Sequence, residues 1–237
     1  MAKANTTWTV IPHRPIEKLA RSVWRVEGDL PGMPLKRVMT IAKRADGRLV
    51  IHNAIALDDA AMQEIEAWGE VGFLVVPNGY HRLDAKVFKD RYPNATVLCP
   101  RGSRRRVLEV VAVDGAYEDF PKDPLVSLET LEGVANAEGA MIVRDEDGTT
   151  LVLNDAVFNM PHRSGLTGFV FKHVTQSSGG PKLSRVARWF LVKDAKALRA
   201  SLERLADLPA LKRVIVSHHE TITHDPARTL REVAATL

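Results

Sequence analysis

The sequence predicts an α/β fold in four layers, α/β/β/α, built from two similar halves, and three observations predict it. The chain nearly repeats itself: Asp46-Gly47-Arg48-Leu49-Val50-Ile51-His52-Asn53-Ala54-Ile55 returns as Asp147-Gly148-Thr149-Thr150-Leu151-Val152-Leu153-Asn154-Asp155-Ala156-Val157, with one extra residue after the second glycine. Each copy opens on an Asp-Gly turn between apolar runs, a strong hairpin signal. The remaining strand patterns are interleaved with helical ones, and strand clusters separated by helices pack as two sheets with helices outside.

The elements follow in order. Residues 36–43 and 48–52 form the first hairpin around Asp46-Gly47. Asp58 is a helix-capping acid, and Met62, Ile65 and Trp68 recur behind it at helical spacing. Phe73-Leu74-Val75-Val76 is a buried strand stopped by Pro77-Asn78-Gly79. A helix is expected over 81–92, a strand over 95–99 and a helix over about 103–111. The acidic, proline-bearing stretch 114–124 reads as a surface connection. Strands over 126–131, 140–144 and 149–154 form a second antiparallel set. Residues 159–184 hold histidines, glycines and basic residues with one apolar patch, Phe169-Val170-Phe171, and read as a mobile loop or lid. Asp194 caps a helix carrying Leu198, Leu202 and Leu205; a strand over 211–216 ends in Ser217-His218-His219-Glu220, and Pro226 starts a last helix.

Composition narrows the function. The 237 residues, 45% of them apolar, suffice for one domain over 1–237 with its core over about 24–222. Lys and Arg total 33 against 29 acids, a balanced surface that argues against a nucleic-acid partner and leaves an anionic small molecule open. A single cysteine, Cys99, excludes a disulfide framework and reads as a small core residue. No apolar run approaches a membrane span or a signal-peptide core, so no membrane partner and a cytoplasmic location are expected. Serine-elbow, dinucleotide and phosphate-loop motifs are absent.

Three buried strands end in polar residues. Val76 leads to Asn78 and His81, Leu153 to Asp155, and Val216 to His218. Ligands gather where strands of an α/β sheet end, so these residues are a candidate site. In element order, and in these strand ends, the sequence resembles the metallo-beta-lactamase superfold of metal-dependent hydrolases. That resemblance implies an H-x-H-x-D-H motif after the Val76 strand, a middle histidine, a bridging Asp and a last His. Read without a gap, Asn78 and Tyr80 stand in the first two His slots and Arg82 and Leu83 in the Asp and last His slots. No histidine lies near Gly133-Val134-Ala135-Asn136, where the middle one belongs, whereas Asp155 matches the bridging Asp and His218 the last His.

The resemblance thus implies a reduced site. His81, Asp155 and His218 are the candidate ligands of one zinc, iron or manganese ion, or of none, with Asp155 and His218 also the candidate catalytic residues. Too few ligands remain for two metals. Each residue has a plainer reading: His81 as a cap or surface residue, and Asp155 as the cap of the following turn. Of His218 and His219, adjacent in a strand, only one faces any site. His52 is expected to be a strand-end imidazole bonded to a loop carbonyl. Arg101-Gly102-Ser103-Arg104-Arg105-Arg106 reads as a solvated helix face or an anion site, and His162, Arg163, Lys172, His173 and Lys182 as loop composition or anion contacts. Two functions compete: a mononuclear metal-dependent hydrolase of unknown substrate, and a non-catalytic relative that binds a small ligand or protein partner in the old cleft. Metal-free acid–base catalysis by Asp155 with a histidine is a weaker third.

Overall fold

The computed structural model describes residues 4–237. Seven strands form the first sheet in sequence order: β1 (Glu17–Ala20), β2 (Val23–Leu30), β3 (Met33–Lys43), β4 (Leu49–His52), β5 (Val71–Val75), β6 (Thr96–Cys99) and β7 (Gly115–Ala116). The first four pair antiparallel and the last four parallel. β8 (Val126–Thr130), β9 (Gly139–Asp145) and β10 (Gly148–Leu153) belong to the second sheet, β11 (Phe158–Met160) and β12 (Gly180–Lys182) form a separate antiparallel pair, and β13 (Leu211–Val216) completes the second sheet in the order β13-β10-β9-β8. The helices are α1 (Asp59–Trp68), α2 (Ala85–Arg91), α3 (Arg104–Val107), α4 (Gly165–Phe169), α5 (Arg185–Phe190), α6 (Ala195–Ala206) and α7 (Pro226–Ala234).

Side-chain alternation turns these elements into four layers. Val50, Phe73 and Val75 of the first sheet meet Met141, Val143, Val152 and Ile215 of the second. On the outer face of the first sheet, Leu49, Ile51 and Leu74 pack under Met62 and Ile65 of α1 and Phe88 of α2. Beyond the second sheet, Leu151, Leu153 and Val214 pack under Leu198, Leu202 and Leu205 of α6 and Leu230 of α7. Each such side chain contributes roughly 1.5–3 kcal/mol when fully buried. Asp58 and Asp194 cap α1 and α6, their Oδ1 atoms accepting from the Ala61 and Ala197 amides at 2.9 and 3.1 Å.

The repeated phrase occupies equivalent places. β4 lies between antiparallel β3 and parallel β5, and β10 lies between antiparallel β9 and parallel β13. Both turn glycines have positive φ, +87° at Gly47 and +122° at Gly148, which explains the Asp-Gly signature. Leu49 and Leu151 point outward and Val50 and Val152 inward, so Asn53 and Asp155 leave their strands in corresponding positions.

Several elements differ from expectation for identifiable reasons. The helix expected from residue 81 begins at Ala85, because the Asn78 side chain accepts the Tyr80 and His81 amides and holds the chain in a turn. The helix expected to reach 111 ends at Val107; three consecutive arginines meet its positive end and no side chain caps it. β2 is not evident in the sequence because Arg25 and Glu27 interrupt its apolar pattern, yet both are buried and Arg25 is ion-paired to Glu17 and Glu27. The stretch 159–184 contains β11, β12, α4 and a π-helical turn over Val170–Val174 rather than open loop.

Candidate metal centre

The site forms where parallel strands of both sheets end. β4 delivers Asn53, β5 leads to Asn78 and His81, β10 to Asp155 and β13 to His218. The sheets meet directly here, the Val38 amide donating to the Ser217 carbonyl at 2.9 Å. A buried ion pair steadies the β5 exit: Arg37 of β3 lies 2.7 Å from Asp84, whose Oδ2 also accepts the Ala56 amide at 3.1 Å.

His81, Asp155 and His218 come together, each offering one ligand atom within 4.8 Å of the others. The two imidazole Nε2 atoms lie 3.1 and 3.3 Å from the same oxygen, Asp155 Oδ1. His81 reaches this position because Asn78 Oδ1 accepts the Tyr80 amide at 2.8 Å and the His81 amide at 3.1 Å, rearranging the turn. Asn78 Nδ2 donates to Asp155 Oδ2 at 2.8 Å, so the residue in a family histidine slot orients the carboxylate instead.

The hydrogen bonds define both tautomers. His218 Nδ1 faces the Lys36 carbonyl at 2.8 Å, and a carbonyl only accepts, so Nδ1 carries the proton. His81 Nδ1 faces Asn53 Oδ1 at 3.2 Å, the Asn53 amide nitrogen being engaged with the Val38 carbonyl at 2.8 Å. With Nδ1 protonated on both rings, each Nε2 meets Asp155 either as a bare lone pair or, in the imidazolium, as a donor. Lone pairs and a carboxylate repel unless a cation stands among them, either added protons or a metal ion. Two histidines and one carboxylate are a known metal donor set, and second bonds from Nδ1 to the protein are the usual means of orienting ligating imidazoles. Ligands about 2.0 Å from a tetrahedral ion stand roughly 3.3 Å apart, in line with the two N–O distances. The three donors could hold one ion.

Electrostatics separates the site's two carboxyl groups. Burial alone would raise the Asp155 carboxyl, but His81 and His218 outweigh it and hold the group well below the usual carboxylate range. Glu138 is fully buried behind it, accepting the Ala156 amide at 2.8 Å and the Asn78 side chain at 3.3 Å. Burial, and then the Asp155 charge, push Glu138 up to about 8, so it retains its proton near neutrality. Sequence reasoning missed Glu138, although it lies two residues beyond Asn136, in the loop searched for a middle histidine.

The other candidates separate from the cluster. His219 takes a left-handed conformation, φ +66°, and turns to the Lys36 amide, leaving His218 as the member of the pair that faces the site. Phe158 stacks on His218 with ring centres 5.0 Å apart at 12°. His52 does not bond a loop carbonyl as expected: it points between the sheets, fully buried, and neither ring nitrogen has a partner among the described residues. Val134 is buried in the core and Tyr80 is exposed beneath the Arg106 guanidinium, so neither joins the cluster. The arginine run is a surface feature, Arg101 pairing with Glu118 and Arg104 reaching the Val113 carbonyl. Cys99 is buried, which pushes its thiol up to about 11.

Comparison with protein-family models found no match, and none was found among curated proteins. Solved structures do match. DIM-1 metallo-beta-lactamase, in a structure exposed to ceftazidime, superposes with a TM-score of 0.63 at 12% identity, covering 96% of this chain and 99% of that one. A metallo-beta-lactamase from Erythrobacter litoralis gives 0.62 at 13% identity over 94% and 96% of the two chains, and one from Pontibacter korlensis gives 0.60 at 12% over 94% and 99%. At such identities the likeness establishes the fold. The chain has the metallo-beta-lactamase fold.

Proposed function

We propose that the protein is a metal-dependent hydrolase with a mononuclear site, in which His81, Asp155 and His218 hold one zinc, iron or manganese ion. The convergence of two tautomer-fixed Nε2 atoms on Asp155 Oδ1 carries this reading. When bound, such an ion supplies a water of lowered pKa and polarises the substrate oxygen. The chain's own contribution is orientation: Asn53 and the Lys36 carbonyl direct the imidazoles, and Asn78 directs the carboxylate. In this reading Asp155 and His218 act at the reacting atoms, and Glu138, which keeps its proton, acts by positioning them. Burial first, then the neighbouring His218, Arg163 and Lys36, depress His219 to about 4, and the Arg163 charge favours a substrate with an acidic group.

The competing reading is a fold that keeps the cleft only to bind a ligand; Val134 and Leu83, which cannot ligate, favour it. Assay of a panel of esters, amides, lactams and phosphoesters separates the two. Hydrolysis that requires metal and disappears in Asp155→Ala, with circular dichroism unchanged, is expected. Hydrolysis surviving both chelation and that substitution would contradict the proposal, and reproducible ligand binding without turnover would favour the alternative.

A further inference from the structure

Between Asp155 and Asp194 the chain has no acidic residue, although it holds 29 elsewhere. The same stretch carries Arg163, Lys172, Lys182, Arg185, Arg188 and Lys193. Among the described residues, the side-chain hydrogen bonds of this set go to backbone oxygens, Lys182 to Ser178 and Arg188 to Thr236. Their charge is thus uncompensated, and it accompanies the most exposed apolar side chains among the described residues.

Leu166, Phe169, Val170 and Val174 follow helical spacing along α4 and the π-helical turn after it, and all four are exposed, Leu166 by 81%. Val186, Trp189 and Phe190 do the same on α5, the last two exposed by 80% and 68%. Packing explains why they face outward. Ala187 and Leu183 take the inward side of α5, Ser184 Oγ caps it by accepting the Ala187 amide at 3.0 Å, and the Arg185 amide donates to the Thr175 carbonyl at 2.9 Å, tying the two segments together.

We propose that this face docks on an anionic lipid surface, with the aromatic and aliphatic side chains at the acyl boundary and the basic residues among the headgroups. An amphipathic surface rich in Lys and Arg with Trp, Phe and Leu is the composition such binding requires, and it needs no membrane-crossing helix. Charge decides against a second copy of the chain, since a symmetric pairing would bring two uncompensated positive faces together. Side-chain type decides against single-stranded nucleic acid, because Leu166, Val170, Val174 and Val186 offer no face on which a base stacks.

Flotation of the full chain with vesicles of phosphatidylglycerol and phosphatidylcholine, or of phosphatidylcholine alone, tests the proposal. Recovery with the anionic vesicles is expected, falling with salt, and weakening roughly fivefold for each of Lys172 and Arg185 changed to Gln. A Trp189→Ser, Phe190→Ser variant is expected to lose at least about tenfold in binding while keeping its melting temperature and metal content. Trp189 fluorescence should shift to the blue on binding in the parent protein. Equal recovery with neutral vesicles, no recovery with either, a dimer dissolved by the double substitution, or binding to a single-stranded oligonucleotide in place of vesicles would each overturn the proposal. These outcomes do not depend on hydrolysis.

Discussion

His81 Nε2 stands 3.1 Å from Asp155 Oδ1, and each of the two side chains is held from behind by an asparagine, Asn53 on the His81 ring and Asn78 on the Asp155 carboxylate. Asn53 adopts φ +58°, a left-handed conformation that glycine also accepts. Asn53→Gly should therefore keep the turn but release the ring. Metal affinity, measured by competition with a chromogenic chelator, is expected to fall about 10–100-fold. Unchanged affinity would show that the Asn53 bond does not orient His81.

His52 supplies a pH test. Burial first, then the His81 charge, push its imidazole down from 6.5 to about 3. Between those values the unfolded chain binds a proton that the folded chain does not, so the stability this group contributes is complete above pH 6.5 and lost as pH falls toward 3. His52→Leu should flatten that loss in urea titrations. Because neither ring nitrogen has a partner among the described residues, it should cost less than about 1 kcal/mol at neutral pH. A large loss at neutral pH would mean the imidazole is hydrogen-bonded after all.

Glu138 has the opposite sign. Its carboxyl is raised from 4.5 to about 8, so across that window the folded state holds the extra proton and stability declines as pH rises. Glu138→Gln should remove the decline and melt higher than the parent above pH 8, by an amount calorimetry can resolve. A steeper decline in the variant would contradict this assignment.

The Arg37–Asp84 pair is buried on both sides, the side chains 4% and 0% exposed. Asp84→Ala leaves a guanidinium without its partner and should cost about 3–5 kcal/mol, whereas replacing both residues by leucine should cost much less. Chemical denaturation of the two variants compares them directly. Equal losses would indicate that the packing of the turn, and not the unpaired charge, dominates.

Much of the fold was legible because its signals are local. The Asp-Gly turns, the capping acids Asp58 and Asp194, and the two echoing strands depend on neighbours in sequence, and the structure places them as expected. β2 was illegible because the partners that permit burial of Arg25 and Glu27 are set by cross-strand pairing. At the site, the strand ends pointed to His81, Asp155 and His218, but not to the means of their convergence. Helical spacing continues smoothly through His81, and only the Asn78 turn diverts it. Glu138 carries no local signal, since its contacts with Ala156 and Asn78 span 18 and 60 residues.

The central claim is that His81, Asp155 and His218 form a metal centre, and elemental analysis of protein purified without chelator tests it most directly. The account predicts close to one equivalent of zinc, iron or manganese per chain, lost in Asp155→Ala and in His218→Ala proteins that retain their circular dichroism. A folded parent protein that holds no stoichiometric metal, even after each of the three ions is supplied, would contradict it.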